Sequence, residues 1–305
     1  MKSALVTGGA GFIGSHICDQ LIELNFEVLV VDNLITGSER NINEKCQFFF
    51  GSISNFVESQ KFLEFEANII FHTAALSRIQ PSFADPIKHE DANVLESLRL
   101  FEAYYAREST RGIVYSSSSA VYGNPLEIPT TEAAAINPLS PYASQKFSAE
   151  SQLHQLGAFF NFPVVSLRYF NPYGPRSYNS SNPHAEYTSV IGVFEDLLNK
   201  KKPLVITGDG TQKRDFVHVQ DVARANIFFG MNIEKFANEK FNIGSGKAYS
   251  ILEVAKLMSK DLVFTDARQG EAVTTLADVT KANTAGWEAK LDLEEYIHGL
   301  VRKKF

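Results

Sequence analysis

Short apolar segments alternate with longer amphipathic segments through the first 170 residues of the chain. Runs rich in β-branched and aromatic residues predict strands at residues 4–7, 27–31, 47–50, 69–72, 112–116 and 164–168. Segments with helical spacing lie between them, at residues 13–24, 55–65, 86–105 and 141–160. Strands that alternate with helices are typical of a parallel sheet covered on both faces. The pattern therefore predicts an α/β fold with a doubly wound parallel sheet.

The pattern changes after Arg168, where residues 171–183 are rich in Asn, Pro, Gly and Ser. Further along, the spacing predicts strands at residues 204–207 and 240–243, and helices at residues 187–199, from Gln220, from Ser250 and from Asp292. Ser250 with Glu253, and Asp292 with Glu295, have the spacing of a helix capping box. We expect one domain over residues 1–170, with a returning segment near 215–240, and a smaller α/β domain over residues 171–305.

The composition is that of a globular protein that needs no disulfides to fold. The 305 residues are 44% hydrophobic and 21% charged, and 29 basic against 35 acidic side chains give a net charge of −6. This balance argues against nucleic acid as a partner. There is no run of 18 apolar residues, no secretory signal, and no cysteine framework beyond Cys18 and Cys46. A cytoplasmic protein without membrane contact is expected.

A glycine-rich turn follows the first predicted strand and opens the first helix. Gly8 permits a tight turn, Gly11 lets the backbone approach a pyrophosphate, and Gly14 lets the helix pack on the strand. The helix then presents its N–H groups and partial positive charge to the phosphates. Asp32 ends the second strand, where a carboxylate accepts both ribose hydroxyls and repels a 2′-phosphate. These features predict a Rossmann-type fold that binds NAD rather than NADP.

The spacing Gly8-x-x-Gly11-x-x-Gly14 resembles that of the extended short-chain dehydrogenase/reductase family, and residues 71–75 are similar to its strand-end motif beside the cofactor. The resemblance implies NAD contacts at Gly8, Gly11, Phe12, Ile13, Gly14, Asp32, Asn33, Ser52, Ile53, Ala74, Asn93, Tyr142 and Lys146. The chain departs from the family at Ser52, where an Asp commonly holds the adenine amino group. A hydroxyl brings no charge to that position, so weaker cofactor binding is expected.

Tyr142 and Lys146 lie four residues apart at the start of a predicted helix, and hence on one face of it. A tyrosine with a pKa of about 10 is a poor base at neutral pH, but a nearby ammonium and the positive nicotinamide favour its phenolate. Ser118, in a serine cluster at the end of a parallel strand, occupies the position of the family's catalytic Ser/Thr. We expect Tyr142 as base, Lys146 as its electrostatic tuner and Ser118 as the positioning hydroxyl, with Ser119 as the alternative to Ser118.

Segments of the second half resemble the substrate-binding segments of nucleotide-sugar enzymes. The resemblance implies substrate contacts at Ser82, Ser118, Asn171, Arg214, Arg268 and Thr275. Two arginines suit a diphosphate because a planar guanidinium makes paired, charge-assisted hydrogen bonds. The structural alternatives are ion pairs, of Arg214 with Asp209 or Asp215 and of Arg268 with Glu271. Ser82 lies in a segment that departs from the better-known epimerases.

The resemblance implies an NAD-dependent 4-epimerase of a UDP-sugar that acts by transient hydride transfer through a 4-keto intermediate. A dehydratase would need an acid–base pair after the catalytic hydroxyl, where this chain has Ser119 and Ala120. Bulky Tyr at the position of Thr275 restricts the resembling epimerases to plain hexoses. The small Thr275 therefore implies turnover of UDP-N-acetylglucosamine and UDP-N-acetylgalactosamine at least comparable to that of UDP-glucose and UDP-galactose.

Two other functions stay open at this point. A UDP-glucuronate-type epimerase or decarboxylase would pass through the same 4-keto intermediate. A non-catalytic NAD-binding sensor on the same scaffold would tend to lack Tyr142 or Lys146, and both are present. Metal catalysis is not expected, because the seven histidines are scattered without His-Glu-x-x-His or Cys-x-x-Cys spacing. The resemblance further implies a homodimer formed through the helices at residues 86–105 and 141–160.

Overall fold

The computed structural model describes residues 2–178, 189–267, 270 and 272–302. The strands in these ranges are β1 Ser3–Thr7, β2 Glu27–Asp32, β3 Gln47–Phe50, β4 Ile69–His72, β5 Ile113–Ser118, β6 Val164–Tyr169, β7 Pro172–Tyr173, β8 Leu204–Thr207, β9 Lys213–Asp215, β10 Val217–His218, β11 Lys240–Ile243, β12 Ala248–Ser250 and β13 Leu262–Thr265.

The α-helices in the same ranges are α1 Phe12–Glu23, α2 Ile53–Val57, α3 Gln60–Glu64, α4 Ile79–Ala84, α5 Pro86–Glu90, α6 Glu96–Tyr104, α7 Pro141–Phe160, α8 Val190–Asn199, α9 Val219–Met231, α10 Ile251–Met258, α11 Thr280–Ala285 and α12 Leu293–Arg302. A π-helical segment, Asp91–Leu95, joins α5 to α6. Short 3₁₀ turns lie at Glu39–Asn41 and Ser119–Tyr122.

The chain divides into two compact units. The first comprises residues 1–118, 141–168 and 223–241, and the second comprises residues 119–140, 169–222 and 242–305. The sequence interpretation places residues 119–140 in the first domain, whereas the structure groups them with the second unit. Backbone pairing explains the difference, because Thr130 N–H donates to the Leu276 carbonyl at 2.8 Å and Asp278 N–H donates to the Thr130 carbonyl at 2.9 Å.

A seven-stranded sheet with the order β11-β6-β5-β4-β1-β2-β3 forms the centre of the fold. β1 pairs in parallel with both β2 and β4, and β4 pairs in parallel with β5. All five residues of β1 are buried, as expected for a central strand covered by helices on both faces. The strand order reverses between β1 and β4, which is where open α/β sheets bind their ligands. The structure confirms the predicted doubly wound α/β fold.

Two of the predicted helices are interrupted in the first unit. The segment at residues 55–65 consists of α2 and α3, because the Ser59 hydroxyl accepts the Phe62 N–H and starts a new helix. The segment at residues 86–105 consists of α5, the π-helical segment and α6. A π turn often marks a functional site in a helix. This one contains Asn93, which the sequence assigns to the cofactor.

The second unit has its own apolar core and small two-stranded sheets. β8 pairs with β13, β9 with β12, and β10 with β7. The core packs α8, α10 and α12 around residues such as Phe194, Phe216 and Val254. The predicted capping box at Ser250 and Glu253 is present, and Asp292 caps the last helix by accepting the Glu294 N–H at 2.9 Å. The predicted helix at residues 187–199 is described from Val190 onward.

Among the described residues, no helix is both long enough and apolar enough to span a membrane.

Candidate active site

The glycine-rich turn between β1 and α1 has the geometry that its sequence predicts. Gly8 has a φ of +72°, in the left-handed region that favours glycine. A Cβ atom at Gly14 would lie 2.3 Å from the Gly8 carbonyl oxygen, so only glycine lets the helix pack this closely. Gly11 is the N-cap of α1 and provides no side-chain cap, and the first turn, which begins with Phe12 and Ile13, contains no acidic residue. This helix N-terminus is suited to the phosphates of a dinucleotide.

Asp32 is the buried last residue of β2, next to the glycine-rich turn. Its Oδ2 accepts the Ala10 N–H at 3.0 Å, and its Oδ1 accepts the Leu34 N–H at 2.8 Å. Burial raises the pKa of this carboxyl, and the two N–H bonds oppose that rise. Each oxygen keeps a further acceptor position, which fits the two hydroxyls of a ribose. The neighbouring Asn33 side chain is exposed and accepts the Ile35 N–H at 3.2 Å.

Ser52 precedes α2, at the end of the loop after β3. Its hydroxyl accepts the Asn55 N–H at 3.1 Å, and its backbone N–H donates to the Asn55 Oδ1 at 3.2 Å, which completes a capping box. Ile53 follows as the buried first residue of the helix. The hydroxyl that the sequence assigns to the adenine therefore also caps α2, a role that Asp fills equally well.

Asn93 joins the loop after β4 to helix α7. Its Oδ1 accepts the Leu76 N–H at 2.8 Å, and its Nδ2 donates to the Leu76 carbonyl at 3.2 Å and to the Gln145 Oε1 at 3.1 Å. Ala74 lies in the same loop and donates its N–H to the Thr7 Oγ1 at 3.4 Å. Both amide protons of Asn93 thus bond to protein atoms. In the structure this residue fixes the loop that follows β4 to the helix that carries Tyr142 and Lys146.

Tyr142 lies in the first turn of α7 and shares a side-chain hydrogen bond with Ser118, the last residue of β5. Its backbone N–H donates to the Ser82 Oγ at 3.1 Å, and the Ser82 hydroxyl donates to the Ile79 carbonyl at 2.6 Å. Ser82 is fully buried. Its hydroxyl binds the backbone at the start of α7 and positions Tyr142, and the substrate contact that the sequence predicts stays a prediction.

Lys146 follows Tyr142 by one helical turn and is also buried. Its Nζ lies 4.4 Å from the ring centroid of Tyr115, a distance at which a cation is attracted to the ring face. Burial lowers the pKa of Lys146 to about 7, although the Glu150 carboxylate opposes the change. Burial raises the pKa of Tyr142, and the bond to Ser118 opposes that rise. The sequence predicts a lowered phenol pKa. In the protein without cofactor, burial outweighs the bond to Ser118, and the lowered pKa expected beside a bound nicotinamide stays a prediction.

A buried ion pair lies beside these residues and is not predicted by the sequence. Arg168 Nε donates to Glu150 Oε2 at 3.0 Å, and its Nη2 donates to Glu150 Oε1. The Ser117 hydroxyl donates to Glu150 Oε2 at 2.6 Å. These partners lower the pKa of Glu150 in spite of its burial. Glu150 lies four residues after Lys146 on α7, so helical spacing places both on one face, and this spacing is the signal that could have identified it.

His72 is the last residue of β4, and both of its ring nitrogens are hydrogen-bonded. Nδ1 lies 2.6 Å from the Thr7 Oγ1, and Nε2 lies 2.8 Å from the Ser97 Oγ. Burial and the charge of Lys146 lower the pKa of His72 to about 3, so the ring is neutral. These contacts give His72 a structural role, since they join β4 to β1 and to α6. No group of three His, Cys, Asp or Glu residues suited to a metal ion occurs in the described ranges.

Three of the predicted substrate residues lie together in the second unit. The Asn171 Nδ2 donates to the Thr275 Oγ1 at 3.0 Å and to the Asp215 carbonyl at 2.7 Å. Thr275 N–H donates to the Lys213 carbonyl at 3.0 Å, which aligns residues 273–275 with β9. Arg214 is buried on β9, where its Nη1 donates to the carbonyls of Lys213 and Val273. Arg268 and Glu271 lie outside the described residues.

The site combines a glycine-rich dinucleotide turn with an acidic residue at the end of β2. It also contains a hydrogen-bonded Ser118–Tyr142 pair, with Lys146 one helical turn away. This combination is typical of dinucleotide-dependent enzymes of the short-chain dehydrogenase/reductase class. The model of the NAD dependent epimerase/dehydratase family matches residues 4–244, which is more than half of the chain. The chain belongs to this family.

Similarity to individual proteins extends over almost the whole chain. A putative UDP-glucose 4-epimerase of Methanocaldococcus jannaschii is 37% identical, with 97% of this chain and 96% of the relative covered. The structure of a UDP-glucose 4-epimerase from Thermotoga maritima with UDP-glucose gives a TM-score of 0.91 at 34% identity, over 98% of this chain and 97% of that one. The structure of a UDP-N-acetylglucosamine 4-epimerase from Methanobrevibacter ruminantium in complex with UDP-N-acetylmuramic acid gives a TM-score of 0.88 at 32% identity. The match covers 99% of this chain and 97% of that one.

Proposed function

We propose that this protein is an NAD-dependent 4-epimerase of a UDP-sugar and that Ser118, Tyr142 and Lys146 are its catalytic residues. The observation that carries the proposal is the hydrogen bond between the Tyr142 and Ser118 side chains, with the buried Lys146 one helical turn away. Similarity to UDP-glucose and UDP-N-acetylglucosamine 4-epimerases over nearly the full chain supports the choice of substrate class.

NAD, when bound, would supply the hydride acceptor and donor for C4 of the sugar, and a positive charge that favours the Tyr142 phenolate. The residues that would hold it are those of the glycine-rich turn, Asp32 and Ser52. The Tyr142 oxygen removes the proton of the C4 hydroxyl, and gives it back when the alcohol is restored. Ser118 donates a hydrogen bond to the reacting oxygen, and Lys146 stabilises the phenolate.

The reaction ends at inversion because the two residues that directly follow Ser118 include no acid or base to carry a second proton. Loss of water from the 4-keto sugar would need an acid–base pair at the next two positions, and these are Ser119 and Ala120 in the 3₁₀ turn that follows β5. Neither side chain exchanges protons near neutral pH. This supports an epimerase rather than a dehydratase.

Incubation with UDP-galactose and with UDP-N-acetylgalactosamine, followed by separation of the products, tests the proposal. We expect UDP-glucose and UDP-N-acetylglucosamine to form without net change in the amount of NADH. UDP-glucuronate in a parallel incubation distinguishes the alternatives, since decarboxylation releases CO₂ and leaves a pentose. A protein that binds NAD but converts none of these sugars would be a sensor, and the proposed reaction would be wrong.

We propose that Thr275 sets the choice between N-acetylated sugars and plain hexoses. The small Thr275 side chain accepts a hydrogen bond from the Asn171 Nδ2, and Thr275→Tyr puts a ring in its place. A misfit of one methylene in a substrate pocket already costs about 10- to 200-fold in kcat/KM. We expect that loss for UDP-N-acetylgalactosamine and a much smaller loss for UDP-galactose. Thr275→Ser is the matched control, since it keeps the hydroxyl and should turn over both pairs. An equal loss on both sugars would contradict this role.

Ser52→Asp should tighten NAD binding. Asp caps α2 as well as Ser does, and its carboxylate accepts a stronger hydrogen bond from the adenine amino group. One such bond corresponds to roughly a tenfold lower Kd, or ~1.4 kcal/mol. Calorimetric titration of the protein freed of NAD measures the change. Ser52→Asn caps the helix without the charge and should leave the Kd near that of the wild type. An unchanged Kd for Ser52→Asp would show that this position does not reach the adenine.

We also propose a homodimer formed through the helices at residues 86–105 and 141–160. Ile87 is 82% exposed and Leu95 is 43% exposed, so both offer apolar surface within these helices for a partner to cover. Ile87→Glu combined with Leu95→Glu should halve the mass measured by light scattering after size exclusion. Leu126→Glu is the control, since Leu126 is 99% exposed outside these helices. A double variant that keeps the wild-type mass would exclude this interface.

A cytoplasmic location is part of the proposal. It rests on the free thiols of Cys18 and Cys46, which fit a reducing compartment. Fractionation of cells that produce the protein measures it, and recovery outside the cytoplasm would contradict it.

A further inference from the structure

Two thiols meet in the first unit, beside the glycine-rich turn. Cys18 is fully buried on α1, and Cys46 lies partly exposed just before β3. Their side chains share a hydrogen bond although 27 residues separate them in the sequence. A Cβ atom at Gly9 would lie 3.2 Å from the Cys18 Sγ, so this sulfur packs directly behind the turn. The proposed reaction uses neither thiol.

Hydrogen bonds fix the segment that carries Cys46 against α1 and the turn. The Asn43 Nδ2 donates to the Asp19 Oδ1 at 2.8 Å, next to Cys18. Cys46 N–H donates to the Asn43 carbonyl at 2.9 Å, and the Asn41 Nδ2 donates to the Ala10 carbonyl at 3.0 Å. These bonds hold the segment that carries Cys46 beside the part of α1 that carries Cys18.

The two thiols differ in chemical character. The bond from the Cys18 S–H lowers the pKa of Cys46, although burial and the charge of Asp19 oppose that change. Burial raises the pKa of Cys18, and the bond to Cys46 with the charges of Asp19 and Asp32 raises it further. The thiol that solvent can reach is thus the one whose pKa is lowered, and the shielded thiol is the one whose pKa is raised.

We propose that Cys46 and Cys18 form a reversible oxidation site in which a peroxide oxidises Cys46 and Cys18 resolves the product to a disulfide. The Cys46 thiolate attacks one peroxide oxygen, the O–O bond breaks, and a sulfenic acid and one water result. The Cys18 sulfur then attacks the Cys46 sulfur, the S–O bond breaks, and a second water leaves. Two thiols lose two electrons and two protons, and the peroxide is reduced to two waters.

The disulfide would protect the dinucleotide turn from irreversible damage. A sulfenic acid without a neighbouring thiol is oxidised further to sulfinic acid, which thiol reductants do not reverse. With Cys18 in contact, oxidation stops at a disulfide that a dithiol reductant reopens. The pair thereby limits peroxide chemistry next to the proposed cofactor site to a reversible step.

Treatment of the intact protein with hydrogen peroxide, followed by mass spectrometry, tests this inference. We expect the mass to fall by two hydrogens, a Cys18–Cys46 crosslink in the peptide map, and full reversal by dithiothreitol. Cys18→Ser should instead give a Cys46 sulfenic acid that dimedone traps. In Cys46→Ser, Cys18 should react at least tenfold more slowly than Cys46 does in the wild type. Two unreacted thiols, a sulfinic acid at Cys46 beside a free Cys18, or crosslinks between chains would each overturn the inference.

Discussion

Tyr142→Phe should lower the rate of epimerisation by roughly 10³-fold, within the range that a general base contributes. The substitution removes the oxygen that takes the C4 proton and leaves the ring in place beside α7. Water is a poor substitute, because the hydride leaves C4 only as the hydroxyl proton is removed. The initial rate of UDP-glucose formation from UDP-galactose measures the effect. Binding of UDP, measured by calorimetry, should not change.

Tyr104→Phe is the matched control for this experiment. Tyr104 is also buried in the first unit, and its hydroxyl has no hydrogen-bond partner among the described residues. Loss of that oxygen should leave the rate within about twofold of the wild type, since no reacting group depends on it. If Tyr142→Phe were as active as Tyr104→Phe, the assignment of the base would be wrong.

Glu150→Gln should destabilise the protein by about 3–5 kcal/mol, the usual result of leaving one member of a buried ion pair without its partner. The Arg168 guanidinium would stay buried with two N–H groups that now face a neutral amide. The midpoint and slope of urea unfolding measure the change. The same variant removes the carboxylate that favours protonated Lys146, so the pKa of Lys146 should fall further. The pH optimum of the remaining activity should therefore shift to lower pH.

The Arg111–Glu234 pair supplies a control with the same chemistry and a different environment. Arg111 donates from Nε and Nη2 to both Glu234 oxygens at 2.6 Å, but both side chains are exposed. Glu234→Gln should therefore cost less than about 1 kcal/mol. Equal losses for the two variants would mean that burial does not determine the strength of these pairs, and the role assigned to Glu150 would fail.

Local patterns allow the sequence to predict much of the fold and part of the site. The strands of the central sheet are short apolar runs, and their bounds agree with the structure to within two residues at each end. The turn around Gly8 is predictable because its shape depends on residues within one segment. The same holds for Tyr142 and Lys146, whose common face follows from helical spacing alone.

Features that depend on residues distant in the sequence cannot be predicted from local patterns. The ion pair of Arg168 with Glu150 joins a strand to a helix, and neither segment alone indicates it. The hydroxyl of Ser82, for which the sequence predicts a substrate contact, bonds to the backbone of Tyr142, 60 residues away. The rise that burial alone gives to the Tyr142 pKa depends on the complete fold for the same reason. Short strands such as β7 and β10 have two residues each and give no periodic signal.

The π turn between α5 and α6 limits how this part of the chain can vary in length. Each residue advances a helix by about 100°, and the π turn holds one residue more than a regular turn. A deletion or insertion within residues 91–95 would rotate the Asn93 amide away from Leu76 and Gln145, whereas many substitutions at the exposed Asp91 or Leu95 would leave it in place. Homologues should therefore differ here in residue type and not in residue number.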